Sequence, residues 1–268
     1  MSLSLRSVPP RQGALWMRNG FRLFSRHPLA FSLMFVVFMA AAAIASAIPV
    51  LGGIVVLAAV PLLGLGFMIA SASALGGGPI HPGLFFSALR TDPARRRAQL
   101  VLCALFGAGT LAVMWLAHAV DGGAFVELQQ LMASDAPQAK IDALLADPRL
   151  LNGLLVRFGL AALMSIPFWH APALVHWGGQ GVGQALFSSS LAVWRSKAAF
   201  LVCVLSWFGI VAVFGLVVAL TLGLLGLRQL AGLVALPAGL IFSTVFYVSL
   251  VFMFDDSFDG TRLELPPP

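Results

Sequence analysis

Six runs of mostly apolar residues, each long enough to cross a lipid bilayer, constrain this sequence more than any other feature. A helix that spans the hydrocarbon layer needs about 20 such residues. The runs extend from Leu29 to Ile48, Gly53 to Leu75, Leu100 to Val120, Leu151 to Leu174, Ala198 to Leu225 and Leu230 to Phe254. Pro61, Pro167 and Pro237 stand inside the second, fourth and sixth, and the fourth is the most polar because it also carries Arg157. A water-soluble alternative fails on composition. The 268 residues are 60% hydrophobic and only 10% charged, whereas a soluble domain carries about 25% charged residues to cover its surface. The predicted fold class is therefore all-α: a polytopic membrane helical bundle of six transmembrane helices, arranged as three hairpins within a single integral membrane domain over 1–268.

The first run has a rival reading. Arginines precede it and it ends in Ala45-Ser46-Ala47, the layout of a cleavable signal peptide. The long aromatic leader, and the next run starting directly after Pro49 and Gly52-Gly53, favour a retained hairpin.

Charge sets the expected orientation, because basic residues accumulate on the cytoplasmic side. The leader holds Arg6, Arg11, Arg18, Arg22 and Arg26, with no acid before Asp92. The loop after the second run holds Arg90, Arg95, Arg96 and Arg97, and the loop after the fourth ends in Arg195 and Lys197. With six spans these segments share one side. The opposite side receives the turn near Pro49, the turn at Arg228, and the long loop 121–150, which sets Asp121, Glu127, Asp135, Asp142 and Asp147 against Lys140 and Arg149. Both termini, including the short tail 255–268, are thus expected in the cytoplasm. The net charge of +6 then reads as contact with anionic lipid. Nucleic acid is not an expected partner, because no basic domain stands outside the spans.

The basic segments also have helical periodicity. At 100° per residue, Arg11, Arg18, Arg22 and Arg26 share one face of a helix over 11–26, with Trp16, Met17, Phe21, Leu23 and Phe24 opposite. Such a helix suits the headgroup layer, aromatic side down. A second segment, Gly83 to Thr91, sets Leu84, Phe85, Phe86 and Leu89 against Ser87, Arg90 and Thr91. A third, Gly183 to Arg195, sets Leu186, Phe187, Val193 and Trp194 against Gln184, Ser188 and Arg195. Phe86-Ser87 and Leu102-Cys103-Ala104-Leu105 parallel Phe187-Ser188 and Val202-Cys203-Val204-Leu205. These parallels predict three units, about 10–75, 83–174 and 183–254, each an amphipathic interfacial helix followed by a hairpin. The expected lipid-interface residues are Arg11, Arg18, Arg22, Arg26, Trp16, Phe21, Phe24, Arg90 and Arg195.

The densest polar cluster in the apolar part is 167–177, Pro-Phe-Trp-His-Ala-Pro-Ala-Leu-Val-His-Trp. Ionisable groups at membrane depth are candidates for function, so Arg157, His170, His176 and Trp177 form a candidate polar membrane site. The two histidines are six apart, about 120° off a common helix face, and no third metal ligand accompanies them. The favoured reading is that His170 bonds a carbonyl freed by Pro172 while His176 and Trp177 mark the interface. Arg157 is expected to snorkel or pair with Asp121, since an arginine at the centre of a span costs about 2.5–3.5 kcal/mol on insertion scales. His118 and Asp121 read as a polar helix end.

Three further signals are weak. Asp255-Asp256-Ser257-Phe258-Asp259 spells DDxxD, similar to the magnesium-holding motif of prenyl-diphosphate enzymes, but without the second acidic motif those enzymes need. Gly178-Gly179-Gln180-Gly181-Val182-Gly183 resembles a phosphate loop yet follows a span and lacks the lysine, so it reads as an elbow. Cys103 and Cys203 lie inside apolar runs and read as small packing residues. No metal, cofactor or catalytic residue is predicted.

The stretch Phe168-Trp169-His170-Ala171-Pro172-Ala173-Leu174-Val175-His176-Trp177, with Gly13-Ala14-Leu15-Trp16 through Phe24 and Ile48-Pro49-Val50, resembles a family of uncharacterised six-span bacterial inner-membrane proteins over nearly the whole chain. The layout also resembles the membrane domain attached to some glycerophosphodiester phosphodiesterases, without a segment like their catalytic domain. These resemblances imply architecture and a bacterial inner-membrane location, and no catalytic residue. The function expected is that of a non-enzymatic membrane protein that binds anionic lipid or supports a membrane partner or its own copies. Two alternatives stand beside it: a small-solute or lipid transporter with a path near Arg157 and His170, and a membrane enzyme using His170, His176, Asp255, Asp256 or Asp259.

Overall fold

The computed structural model describes residues 3–49, 51–90, 92–134 and 136–259, without the side chain of Arg228. Met1, Ser2, Val50, Thr91, Asp135 and the segment 260–268 lie outside the described residues. The described chain is helical almost throughout. A short strand β1 (Ser4–Leu5) leads into α1 (Gln12–Arg26), α2 (Pro28–Ser46) and α3 (Leu51–Leu75). After a 3-10 segment (Pro82–Leu89) come α4 (Pro93–Asp121), α5 (Ala124–Ala133), α6 (Gln138–Leu145), α7 (Pro148–Phe168) and α8 (Ala171–His176). The last third holds α9 (Val182–Arg195), α10 (Lys197–Leu224), α11 (Ala231–Ser257) and strand β2 (Phe258–Asp259).

Six segments are long and apolar enough to cross a membrane: α2, α3, α4, the pair α7–α8, α10 and α11. They coincide with the six apolar runs of the sequence, and the predicted all-α polytopic bundle is the observed fold. Pro61, Pro167 and Pro237 all lie inside helices. Proline opens helices sequentially as well. Pro28, Pro93, Pro148 and Pro172 occupy first-turn positions, where the missing N–H costs nothing. Asp92 and Asp147 cap α4 and α7 by accepting the N–H groups of Ala94, Arg95 and Arg149.

Burial is concentrated at one end of the bundle. The second half of α3, the last turns of α11, the first turns of α4 and α10, and α1 and α8 supply most of the main core, with Phe31 and Met34 of α2 and Ala185 and Ala192 of α9 added to it. Away from this packed end the spans present large apolar side chains outward, α10 most of all: Phe208, Val213, Leu216 and Leu220 are all exposed. That surface suits hydrocarbon, the only solvent in which it is not a liability. The first and last described segments meet at the packed end. β1 pairs antiparallel with β2, Ser4 opposite Asp259 and Leu5 opposite Phe258, and Arg6 forms an ion pair with Asp259 at 2.6 Å.

The elements that precede the hairpins pack in a rotary order. α1 lies against α10 and α11, the 3-10 segment against α3, and α9 against α7 and α8. Each thus rests on the hairpin before it in chain order, and the first rests on the last. Glycine makes the closest of these contacts. A side chain at Gly13 would strike the carbonyl of Ala199 in α10, and one at Gly20 would lie 2.8 Å from the Ser249 Cβ in α11.

Three local expectations need correction. The second amphipathic element is a 3-10 segment, not an α-helix; Pro82 starts it, and its short, tight turns press the Phe85 ring onto Gly66 and Phe67 of α3. The aromatic face of α1 is not laid on lipid. Trp16 is fully buried, 5.2 Å from the Phe200 ring, and Phe21 stacks on Trp207 at 5.7 Å, so protein covers that face. In α9 the inward face is the small one, Ala185, Ser189 and Ala192, while Phe187 and Trp194 point out; small residues let α9 approach α7 and α8 closely.

Candidate functional site

The polar groups expected in span four separate into two sites, one at each end of it. At the packed end the helix breaks between α7 and α8. The amide of His170 would normally donate to the carbonyl of Ile166 four residues earlier. Instead it donates to the Ser189 hydroxyl at 3.0 Å, and that hydroxyl donates to the Ile166 carbonyl at 3.0 Å. A side chain inserted into the helical ladder is a recognised cause of a kink. The serine comes from α9, so the third interfacial element holds the break open.

The kink swings the His170 ring into an aromatic box, with Phe200, Phe254 and Phe258 centroids at 5.9, 5.8 and 5.6 Å. Neither ring nitrogen has a partner among the described residues. The expectation that His170 bonds the carbonyl freed by Pro172 is therefore wrong; the hydroxyl at the break is that of Ser189, and it bonds the Ile166 carbonyl instead. His176 faces elsewhere, its ring 5.6 Å from Trp177, which packs in turn on Phe254 at 5.2 Å. The two histidines share no ligand position, and among the described residues no three His, Cys, Asp or Glu side chains gather as metal ligands.

Charged side chains pin the end of α8. Arg95 of α4 donates to the His176 carbonyl at 2.9 Å and pairs with Asp92 at 3.1 Å, a cation placed on a helix C-terminus where it is favoured. Gln99 donates to the Pro172 carbonyl at 2.7 Å. Gly179 turns the chain with φ +63° close to the Arg95 guanidinium, so the glycine-rich stretch is an elbow between α8 and α9. The tail aspartates are engaged too. Asp256 accepts from the Gln12 amide at 2.7 Å and the Trp16 indole at 2.6 Å, and Asp259 holds Arg6. Sequence reasoning missed Ser189 and Gln99 because a lone serine or glutamine gives no signal until its partner helix is known.

At the far end Arg157 is largely buried and reaches Asp121, Nη2 to Oδ2 at 3.4 Å. Its guanidinium also stacks on the Phe125 ring at 4.1 Å. Asp121 is fully buried, accepts the Gly123 N–H at 2.7 Å, and has His118 at 3.9 Å. The pairing expected from sequence is the one observed. Nearby, Asp147 is held below its usual carboxylate range by the hydrogen bond from Arg149.

The remaining expected interface residues lie on the outside. Arg11, Arg18, Arg22 and Arg26 line the outward face of α1, and Arg90 and Arg195 are exposed at the ends of their elements. Phe24 is half-buried against the core.

With that geometry in place, comparison decides the location. The chain is 29% identical over 248 residues to a probable inner membrane protein of Burkholderia thailandensis, covering 92% of this chain and 91% of that one. The chain is a multi-pass inner-membrane protein. No family model matches it, and no solved structure does.

Proposed function

We propose that this inner-membrane protein is non-enzymatic and binds anionic phospholipid through the basic rim of its packed end. One observation carries the reading: Arg11 and the three arginines of α1 that follow it are all exposed, and none of them forms an ion pair among the described residues. Of the acids near the chain's C-terminal strand, Asp259 pairs with Arg6 and Asp256 accepts from the Gln12 amide and the Trp16 indole. Each basic side chain near an anionic surface contributes about 1 kcal/mol. Replacing Arg18, Arg22 and Arg26 together with glutamine should therefore weaken retention of phosphatidylglycerol by roughly 100-fold, since each 1.4 kcal/mol is a factor of ten. Binding of phosphatidylcholine should stay unchanged. Lipid titration of the purified full-length protein, followed by native mass spectrometry, measures both. Equal loss of the two lipids would sink the reading.

The same reading puts the packed end on the inner leaflet, since arginine-rich connections stay inside. A cysteine placed at Gln138, on the opposite side, should then react with a membrane-impermeant maleimide added to intact spheroplasts, whereas one at Arg90 should not. The native Cys103 and Cys203 are buried and leave that assay a low background. Labelling in the reverse sense would overturn the orientation. The rival readings gain less. Arg157 and His170 are thirteen residues apart in span four, about 20 Å along a helix, each enclosed by its own partners, which weighs against one solute path joining them.

A further inference from the structure

α9 carries two unlike faces. Ala185, Ser189 and Ala192 turn inward, while Phe187, Ser190, Leu191 and Trp194 form a second stripe at the i, i+3, i+4, i+7 spacing of one helix face. Phe187 and Trp194 are 68% and 70% exposed. The stripe lines an open groove of about 500 Å³, shared with Ile166 of α7 and with Lys197, the first residue of α10. Lys197 is the one charged residue of that groove among the described residues. Its ammonium is held 5.0 Å over the Trp194 ring, and among the described residues no acid pairs with it.

We infer that this groove seats one phospholipid, with its phosphate on the Lys197 ammonium and the upper part of an acyl chain along Leu191 and Ile166. Three observations commit the groove to that occupant. Its charge stands at one end, and the rest of its lining is apolar apart from Ser190, whose hydroxyl is already bonded to the Leu186 carbonyl. The groove also runs along the bilayer normal. The His170 and Phe200 rings touch at 5.9 Å and so mark one depth. Lys197 lies three residues above it on α10 and Ile166 four residues below it on α7, about 10 Å apart at 1.5 Å per residue. The polar layer on each side of the hydrocarbon is roughly 5–8 Å thick, so the groove crosses it and enters the chains. Finally, the groove opens onto lipid-facing surface: Leu163, one turn deeper on α7, is exposed, as is Phe86, which matches Phe187 in the sequence parallel. A lysine at this level, its stem on an aromatic ring and its ammonium in the headgroup layer, is the usual interfacial arrangement. The site reads the phosphate that phospholipids share, not a net negative headgroup, so it does not depend on the arginine rim of α1.

The experiment is native mass spectrometry of the delipidated full-length protein, titrated in detergent with phosphatidylglycerol, phosphatidylcholine or a diacylglycerol of the same chains. Wild type should retain either phospholipid and not the diacylglycerol. Lys197→Gln should weaken phosphatidylcholine retention about fivefold, the factor one basic side chain contributes at an anionic group, and Lys197→Glu by about tenfold or more, both at unchanged melting temperature. At one chain-brominated phosphatidylcholine per protein, tryptophan fluorescence should be quenched, and Trp194→Phe should remove most of the quenched signal. The variant with Arg18, Arg22 and Arg26 changed to glutamine should keep that quenching. If both Lys197 variants retain phosphatidylcholine like wild type, or the diacylglycerol binds equally well, the groove site is overturned while the rim reading stands. Loss of the Trp194 quenching in the arginine variant alone would assign the lipid to the rim and overturn the groove. A stable dimer whose Trp194 escapes the brominated lipid would assign the groove to a second copy and also overturn the proposal.

Discussion

Arg157→Leu is expected to destabilise the protein by about 3–5 kcal/mol, the cost of leaving one member of a buried ion pair without the other. Asp121 would remain fully buried. Its surroundings offer no replacement: Gly153 of α7 packs directly on its side chain, and a Cβ there would already collide with it. The carboxylate would keep only the Gly123 N–H on Oδ1 and the distant His118. It must then take up a proton or drag in water. Arg157→Lys should cost less. It keeps the charge but loses the flat stacking on Phe125, a contact that favours guanidinium over ammonium. Removing the charge from both partners, Asp121→Asn with Arg157→Leu, should recover most of the loss, because asparagine can still accept from Gly123. Fluorescence-detected size-exclusion after heating, in one detergent, gives the ranking. A single variant as stable as wild type would show that the pair is solvated in the membrane and worth little, as exposed pairs are.

The span boundaries and the Arg157–Asp121 pair could be read from the sequence for the same reason. Both follow from the expense of polar groups in hydrocarbon, and that expense depends only on residue type and position along one helix. The packed end could not be read this way. Amphipathic periodicity ranks faces by hydrophobicity, so it put Trp16 and Phe21 on lipid and hid Ser189 among three serines. What decides those faces is how closely two helices approach. Gly13 and Gly20 admit α10 and α11 to the backbone of α1, and Ala185 and Ala192 do the same for α9. Small residues carry little hydrophobic weight and large contact value, an inversion that is general where lipid replaces water as solvent. The clasp between Ser4–Leu5 and Phe258–Asp259 is a pairing across the whole chain, and no local pattern encodes it.

Ser189→Ala is the second large expected effect, about 1–3 kcal/mol. The substitution removes a single oxygen atom, so packing alone would predict far less. The loss comes mainly from the His170 N–H, which would be left without its acceptor, while the Ile166 carbonyl would keep only the long 3.4 Å bond from the Trp169 N–H. Each buried group left unpaired costs about 1–3 kcal/mol. The chain has one way to avoid that penalty, which is to close the helix so that the two groups bond directly. Closure would straighten α7 into α8 and withdraw His170 from Phe200, Phe254 and Phe258, exchanging an unmet hydrogen bond for lost aromatic contacts. Either route leaves a trace. Without closure, amide exchange over 166–176 should accelerate together with the fall in melting temperature. With closure, exchange should slow while the melting temperature still falls. Ser188→Ala and Ser190→Ala serve as controls, because among the described residues Ser190 bonds within its own helix and neither hydroxyl bridges the break. If all three alanine variants melt alike, the hydroxyl of Ser189 is not what holds span four open.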